Sequence, residues 1–164
     1  MLTASTDGLP TITLAQLLSR LAGRVMAAPA TAPPTLLRWV ACSELVDPAP
    51  FLLGGELLLT AGTPITPGDA DGIRDYVSRL VAARVGALDI GLGPVHSEVP
   101  PDLAAACATV GLPLLVVAEG TPFVMVTRTF AQILELKRDR TGRSGRNRPT
   151  HRPRPGSPRC STVS

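Results

Sequence analysis

The apolar residues of this chain occur in two alternating patterns, short continuous runs and stripes with helical spacing. Continuous apolar runs of this length are typical of parallel strands that are buried on both faces of a sheet. The sequence predicts four such strands, at Leu36–Ala41, Glu56–Ala61, Val85–Leu92 and Leu112–Ala118.

Stripes with a period of 3.6 residues predict helices before and between these strands. The first helix is capped by Thr13 and continues through Val25, and residues 27–34 form a connector rich in alanine and proline. A short helix begins at Asp47-Pro48 and runs through Leu53. Longer helices follow the later strands, with apolar stripes at Ile73–Val81, Leu103–Val110 and Phe123–Leu134. This alternation predicts an α/β fold, a small, mostly parallel sheet of about four strands with helices on both faces.

Charge divides the 164 residues into two unlike parts. Residues 1–136 contain seven Lys and Arg against twelve Asp and Glu, whereas residues 137–164 contain nine against one. The second part has no aromatic residue, leucine or isoleucine, so it cannot bury enough apolar surface to offset the entropy lost on ordering. We therefore predict a folded domain over residues 1–136 and a disordered, Arg- and Pro-rich basic tail over residues 137–164.

The three cysteines, Cys42, Cys107 and Cys160, form no CxxC pair, which argues against a zinc site or a redox pair. Unpaired thiols suit a reducing compartment. The longest uncharged run, Leu103–Ala118, is interrupted by glycine and proline and is shorter than the roughly 20 residues that a spanning helix needs. These features predict a cytoplasmic protein with no membrane partner.

No motif in the sequence is typical of a catalytic or cofactor site. Gly91 and Gly93 do not complete a GxGxxG pattern, and there is no P-loop. His96 has no nucleophile motif beside it and is interpreted as a surface histidine. The basic tail could neutralise nucleic-acid phosphates, but no groove-reading element accompanies it, so we expect no specific DNA binding. We expect a protein that is not an enzyme and that needs no cofactor or metal.

Ligands of open parallel α/β sheets bind outside the carboxyl ends of the strands. The four predicted strand ends combine small residues with hydrogen-bonding ones, as a pocket for a polar metabolite requires. The expected ligand-binding residues are Ser43, Glu44, Thr60, Gly62, Gly91, Gly93, Glu119 and Thr121. A small metabolic enzyme that uses the same pocket is the alternative.

Glu56 stands at the other end of its strand, between Gly54-Gly55 and three leucines. An unpaired buried carboxylate is costly, so this side chain needs hydrogen-bond donors or a cation. We predict that Glu56 accepts backbone N–H groups or meets Arg38, and that its role is architectural. The alternative is that Glu56 binds the ligand.

Several motifs in order along the chain resemble the N-terminal domain of the purine catabolism regulatory protein-like (PucR-like) transcription factors. The first three are RWVACSEL at 38–45, DPAPFL at 47–52 and GGELLLTAG at 54–62. The later ones are Tyr76-Val77, Ala87–Gly93, Val99-Pro100, Gly111–Leu114 and Thr121–Phe123. The resemblance extends over roughly Leu14–Leu136.

The resemblance implies a regulatory, metabolite-sensing module of a bacterial transcription regulator, with a purine-degradation metabolite as its effector. It leaves homo-oligomerisation open. Family members usually carry a C-terminal helix-turn-helix domain, which the residues after Leu136 cannot form. We therefore expect a truncated or orphan form, and reading the downstream nucleotides in the other two frames would test whether the frame was lost near Lys137.

Overall fold

The computed structural model describes residues 10–27 and 34–144, with side chains through residue 140. The strands are β1 Ile12–Thr13, β2 Val25–Ala27, β3 Leu36–Leu37, β4 Trp39–Cys42, β5 Glu56–Thr60, β6 Ala87–Gly91 and β7 Leu114–Val117. The helices are α1 Leu14–Arg20, α2 Ala70–Ala82, α3 Pro101–Val110 and α4 Phe123–Ser144, with a single 3-10 turn at Ala49–Phe51.

The main sheet has five strands in the order β2-β7-β6-β5-β4. Strands β4 to β7 are parallel and lie side by side in chain order, and β2 pairs antiparallel with β7 at one edge. The predicted α/β class with a mostly parallel sheet is therefore confirmed. Because these four strands are parallel and adjacent, their carboxyl ends lie side by side and form one edge.

Side chains alternate between the two faces of the sheet, and helices cover both. On one face, Leu57 and Leu59 pack in a cluster with α1 and α4. On the other face, Leu58 packs in a cluster with α2 and α3. The alternation explains why the strand residues are apolar without interruption, and it confirms the helices predicted on both faces.

The N-terminal region differs from the prediction at Val25. The capping box of Thr13 and Gln16 starts α1 as expected, but the helix ends at Arg20 and Gly23 turns the chain with a φ of +79°. Val25 then lies in β2, opposite Val117, and not in the helix. Its apolar spacing fits a helix, but tertiary pairing with the edge of β7 decides the outcome. Residues 28–33 of the predicted connector lie outside the described residues.

Two other predicted elements are shorter than expected. The strand predicted over Leu36–Ala41 is divided, since β3 pairs antiparallel with β1 in a separate two-stranded sheet while β4 joins the main sheet. The helix predicted through Leu53 is only the 3-10 turn that ends at Phe51.

The last helix extends further than the sequence predicts. Helix α4 continues past Leu136 to Ser144, so residues 137–144 of the predicted tail are helical. Lys and Arg are good helix formers, and the Lys137 ammonium donates a hydrogen bond of 2.7 Å to the carbonyl of Thr11. The remainder of the predicted tail, residues 145–164, lies outside the described residues. In the part of the chain that is described, no helix is long and apolar enough to cross a membrane.

Glu56 begins the interior strand β5 with its carboxylate buried. Its oxygens accept backbone N–H groups from Leu53 at 2.5 Å and from Gly54 at 2.9 and 3.0 Å. The carboxylate thereby satisfies the donors of the turn that precedes the strand. The contacts agree with the architectural role expected from the sequence.

Asp89 is the exception to the apolar interior. It lies at the middle of β6 between Leu59 and Leu115, is 0% exposed, and neither carboxyl oxygen has a hydrogen-bond partner. Burial raises the pKa of the Asp89 carboxyl to about 8, although the nearby Val117 backbone, outside hydrogen-bonding geometry, opposes the rise. The group is therefore protonated in the folded protein at neutral pH.

We expect Glu56→Gln to lower the free energy of unfolding by about 1–3 kcal/mol, because the new NH₂ group cannot accept a backbone N–H. Urea denaturation measures the loss, with Glu98→Gln, an exposed glutamate, as the matched control. Equal stability of the two variants would contradict the architectural role.

Asp89 should make the protein less stable as pH rises. An unfolded aspartate has a pKa of about 3.9, so between that pH and about 8 the folded state binds the additional proton. Stability therefore decreases across this window, by at most about 1.4 kcal/mol per pH unit. Urea denaturation at pH 5 and pH 8 should show a smaller decrease for Asp89→Asn than for the wild type. The same decrease in both proteins would disprove the assignment.

Candidate functional site

Glu44, directly after β4, connects the ends of two neighbouring strands. Its carboxylate accepts the Thr60 hydroxyl at 3.0 Å and the backbone N–H groups of Ala61 and Thr63 at 2.5 and 3.1 Å. Hydrogen bonds to a charged acceptor are among the stronger ones in proteins. The loop that leaves β5 is thus held by a side chain from the adjacent strand end, as the parallel register of β4 and β5 allows.

Thr60 holds the Glu44 carboxylate in place by a hydrogen bond. Its side chain is fully buried, and its hydroxyl both donates to Glu44 and accepts the N–H of Gly62 at 2.9 Å. Ser43 accepts the N–H of Leu45 with its hydroxyl and stays half-buried. Four of the sequence-predicted residues therefore lie together: Ser43, Glu44, Thr60 and Gly62. Of these four, Thr60 and Gly62 are buried.

His96 is buried, which corrects its interpretation as a surface histidine. Its Nε2 atom lies 2.9 Å from the carbonyl oxygen of Gly62, so the ring links the loop after β6 to the loop after β5. Gly62 has a φ of +89°, and a Cβ atom there would come within 2.7 Å of Nε2. The glycine is needed both for its backbone conformation and for the space that the imidazole occupies.

The third strand end contributes backbone in place of side chains. The N–H of Gly93 donates to the carbonyl of His96 at 2.8 Å, which closes the loop that carries the histidine. Gly91 leaves room for Phe123 at the start of α4, since a Cβ atom would come within 2.6 Å of that ring. Both glycines therefore shape the edge without offering a side chain to a ligand.

Glu119 and Thr121 follow the fourth strand end and lie apart from this network. Glu119 is exposed, Thr121 is half-buried, and the Thr121 backbone N–H donates to Ala118. Among the described residues, no hydrogen bond joins their side chains to the loops after β4, β5 or β6. The structure thus brings the first three predicted strand ends together by direct contacts, and the fourth only by its position in the sheet.

The negative charge of Glu44 also acts on two groups that the sequence did not indicate. Desolvation and then Glu44 raise the pKa of the Cys42 thiol. The same two effects, with Cys107, raise the pKa of the buried Tyr76 phenol, whose hydroxyl has no hydrogen-bond partner. Tyr76 appears in the sequence only as a position on an apolar stripe, and no local signal could have placed its hydroxyl near this edge.

In the described residues, no group of three or more His, Cys, Asp or Glu side chains could hold a metal ion. The carboxylate and the imidazole both hold loops by contacts within the protein. Two clefts lie elsewhere, between α1 and the C-terminal half of α4, and the sequence analysis missed them because they depend on how the helices pack.

A comparison of two glycines tests the contact between Gly62 and His96. Gly62 and Gly68 have similar φ values, +89° and +84°, but nothing lies within 4 Å of a Cβ atom at Gly68. Gly68→Ala should cost about 1 kcal/mol of stability, from backbone strain alone. Gly62→Ala should cost about 1–3 kcal/mol more, because the methyl group meets the imidazole.

Thermal denaturation of both variants measures the difference. Adding His96→Ala should recover much of the extra cost at Gly62 and none at Gly68. Equal losses for the two alanine variants would show that the imidazole does not restrict Gly62.

Comparison with known proteins places this architecture in a family. A family model, the purine catabolism regulatory protein-like (PucR) family, matches residues 14–134, which include α1, all the strands from β2 to β7, and the apolar part of α4. The search of curated proteins returned no matching relative. With most of its length covered by the family model, the chain belongs to the purine catabolism regulatory protein-like family.

Proposed function

We propose that this chain is a regulatory domain that senses a small polar metabolite of purine degradation at the carboxyl edge of its parallel sheet. The observation that carries the proposal is the network of Glu44, Thr60 and His96, which holds the loops after β4, β5 and β6 in defined positions. Preorganised loops reduce the entropy that a ligand must remove on binding. Membership of a regulator family supports this assignment over catalysis.

The groups proposed to face the ligand are those that the network leaves accessible. Ser43 and Thr121 are half-buried, Glu119 is exposed, and the backbone around Gly93 is partly open. Thr60 and Gly62 are covered and act through the loop that they support. The oxygen-rich edge would suit a metabolite with several N–H donors, as partly oxidised purines and their ring-opened products have.

The proposal includes a non-enzymatic role that needs neither cofactor nor metal, and a place in the cytoplasm. The two cysteines that the structure describes, Cys42 and Cys107, are free thiols, which supports a reducing environment. A second copy of the chain is a further proposed partner, because regulators of transcription commonly act as symmetric oligomers.

Thermal denaturation with xanthine, urate and allantoin as probes tests the proposal. A ligand at one hundred times its Kd stabilises the folded state by about 2.7 kcal/mol. For a domain of this size, the melting temperature should rise on the order of 5–10 °C. Ser43→Ala should reduce the rise, whereas Ser78→Ala, an exposed serine on α2, should leave it unchanged.

The outcomes separate a sensor from an enzyme. Stabilisation without chemical change of the probe, measured by chromatography of the mixture, supports the sensor. Turnover of any probe would contradict it in favour of the metabolic enzyme. If a probe stabilises Ser43→Ala as much as the wild type, we would conclude that the ligand binds away from the strand ends.

A further inference from the structure

A cationic cleft lies between α1 and the C-terminal half of α4. It has a volume of about 210 Å³, and its polar wall consists of Gln16, Ser19 and Arg20 from α1 and Lys137 and Arg140 from α4. Helical spacing explains the arrangement, because positions 16, 19 and 20 share one face of α1 and positions 133, 136, 137 and 140 share one face of α4. The cleft therefore presents three cations from two helices to one small volume.

The charge of this cleft is opposite to that of the domain around it. Residues 1–136 have five more acidic than basic residues. Within the described part of the chain, neither Arg20 nor Arg140 forms an ion pair, whereas Arg74 pairs with Asp71 at 2.7 Å on the surface of α2. The acidic residues nearest on α4, Glu135 and Asp139, line a neighbouring cleft on the other side of Arg20 and Leu136. Arg20 lines both clefts, whereas Lys137 and Arg140 line only the cationic cleft and Glu135 and Asp139 only its neighbour.

The hydrogen bonds of the wall leave donors directed to the cleft. The Gln16 side-chain oxygen accepts the N–H of Thr13 at 3.0 Å in the capping box, which leaves its amide NH₂ without a partner among the described residues. The Lys137 ammonium is held at this wall by the carbonyl of Thr11 and contributes its positive charge. Guanidinium and ammonium groups with an amide donor are the groups that proteins use to bind oxyanions.

We propose that the cleft binds a compact oxyanion, a phosphate or carboxylate group of a small metabolite, held by Arg20, Lys137 and Arg140. Its volume is below the roughly 300–1,000 Å³ of pockets for drug-sized ligands, which favours an ion-sized group. The site is separate from the strand ends and does not depend on the sensing function proposed there.

Binding at this cleft would also act on helix α4. The last buried residue of α4 among those described is Ile133, and Leu134 beyond it packs partly buried against the core. The turns that follow are mostly exposed through residue 140. An anion held between Arg20 and Arg140 would join these turns to α1. Occupancy would therefore change how firmly the C-terminal half of α4 is held.

Titration of the full chain with sodium phosphate and with sodium succinate, at constant ionic strength in sodium chloride, tests the site. Isothermal titration calorimetry should show saturable binding of at least one of these anions, and the stronger binder identifies the source as a phosphate or a carboxylate. Arg20→Gln and Arg140→Gln should each raise the Kd by about tenfold, because each removes a charge-assisted contact. Arg128→Gln, an exposed arginine on α4 outside both clefts, should leave the Kd unchanged.

Amide hydrogen exchange gives a second measurement. A saturating anion should slow exchange in residues 134–144 of the wild type, and this effect should be lost in both cleft variants. Phosphate stabilises proteins in general by exclusion from their surfaces, so an equal response of the wild type and the cleft variants would overturn the proposal. Absence of saturable binding for both anions would also overturn it, and neither result bears on the purine-derived probes at the strand ends.

Discussion

The backbone donors at the two ends of the interior strand β5 are satisfied by carboxylates, and the arrangement of the loops around this strand depends on these hydrogen bonds. The turn before β5 is partly buried, where unpaired donors are costly, whereas the loop after β5 is more exposed. At the start of β5, Glu56 accepts from Leu53 and Gly54. At its end, Glu44 accepts from Ala61 and Thr63. Glu56 belongs to β5 itself, whereas Glu44 directly follows the neighbouring strand β4. The hydrogen bonds of Glu44 therefore also connect the ends of the two strands.

The network at the carboxyl edge uses the same kind of interaction across several loops. Glu44, Thr60 and His96 hold the loops of three successive strands, and they do so with side chains whose hydrogen bonds are used within the protein. In the proposed function, such groups position a ligand site without forming its contact surface. In that proposal, the buried residues of this edge hold the loops, and the accessible residues contact the ligand.

The layer formed by α1 and α4 has ionisable groups on both of its sides. Asp89 lies on the sheet face that these helices cover, and it is a neutral acid at ordinary pH because burial disfavours its charged form. On the outer side of the same two helices, Arg20, Lys137 and Arg140 surround a cleft. The layer of α1 and α4 therefore covers a protonated acid on its inner side and presents accessible cations on its outer side.

Local pattern in the sequence was enough to predict several parts of this protein. The four apolar runs predicted the parallel strands, the Thr13 cap predicted the start of α1, and the charge of Glu56 beside an apolar strand predicted that its carboxylate needs partners. Other features follow from packing: Val25 forms an edge strand, His96 is buried against Gly62, and Tyr76 lies near Glu44. Packing also decides which strand-end residues are covered, and how far α4 extends with Lys137 bound to Thr11. The physical reason is that spacing along the chain encodes which face a residue occupies, whereas contacts between distant segments depend on how those faces pack together.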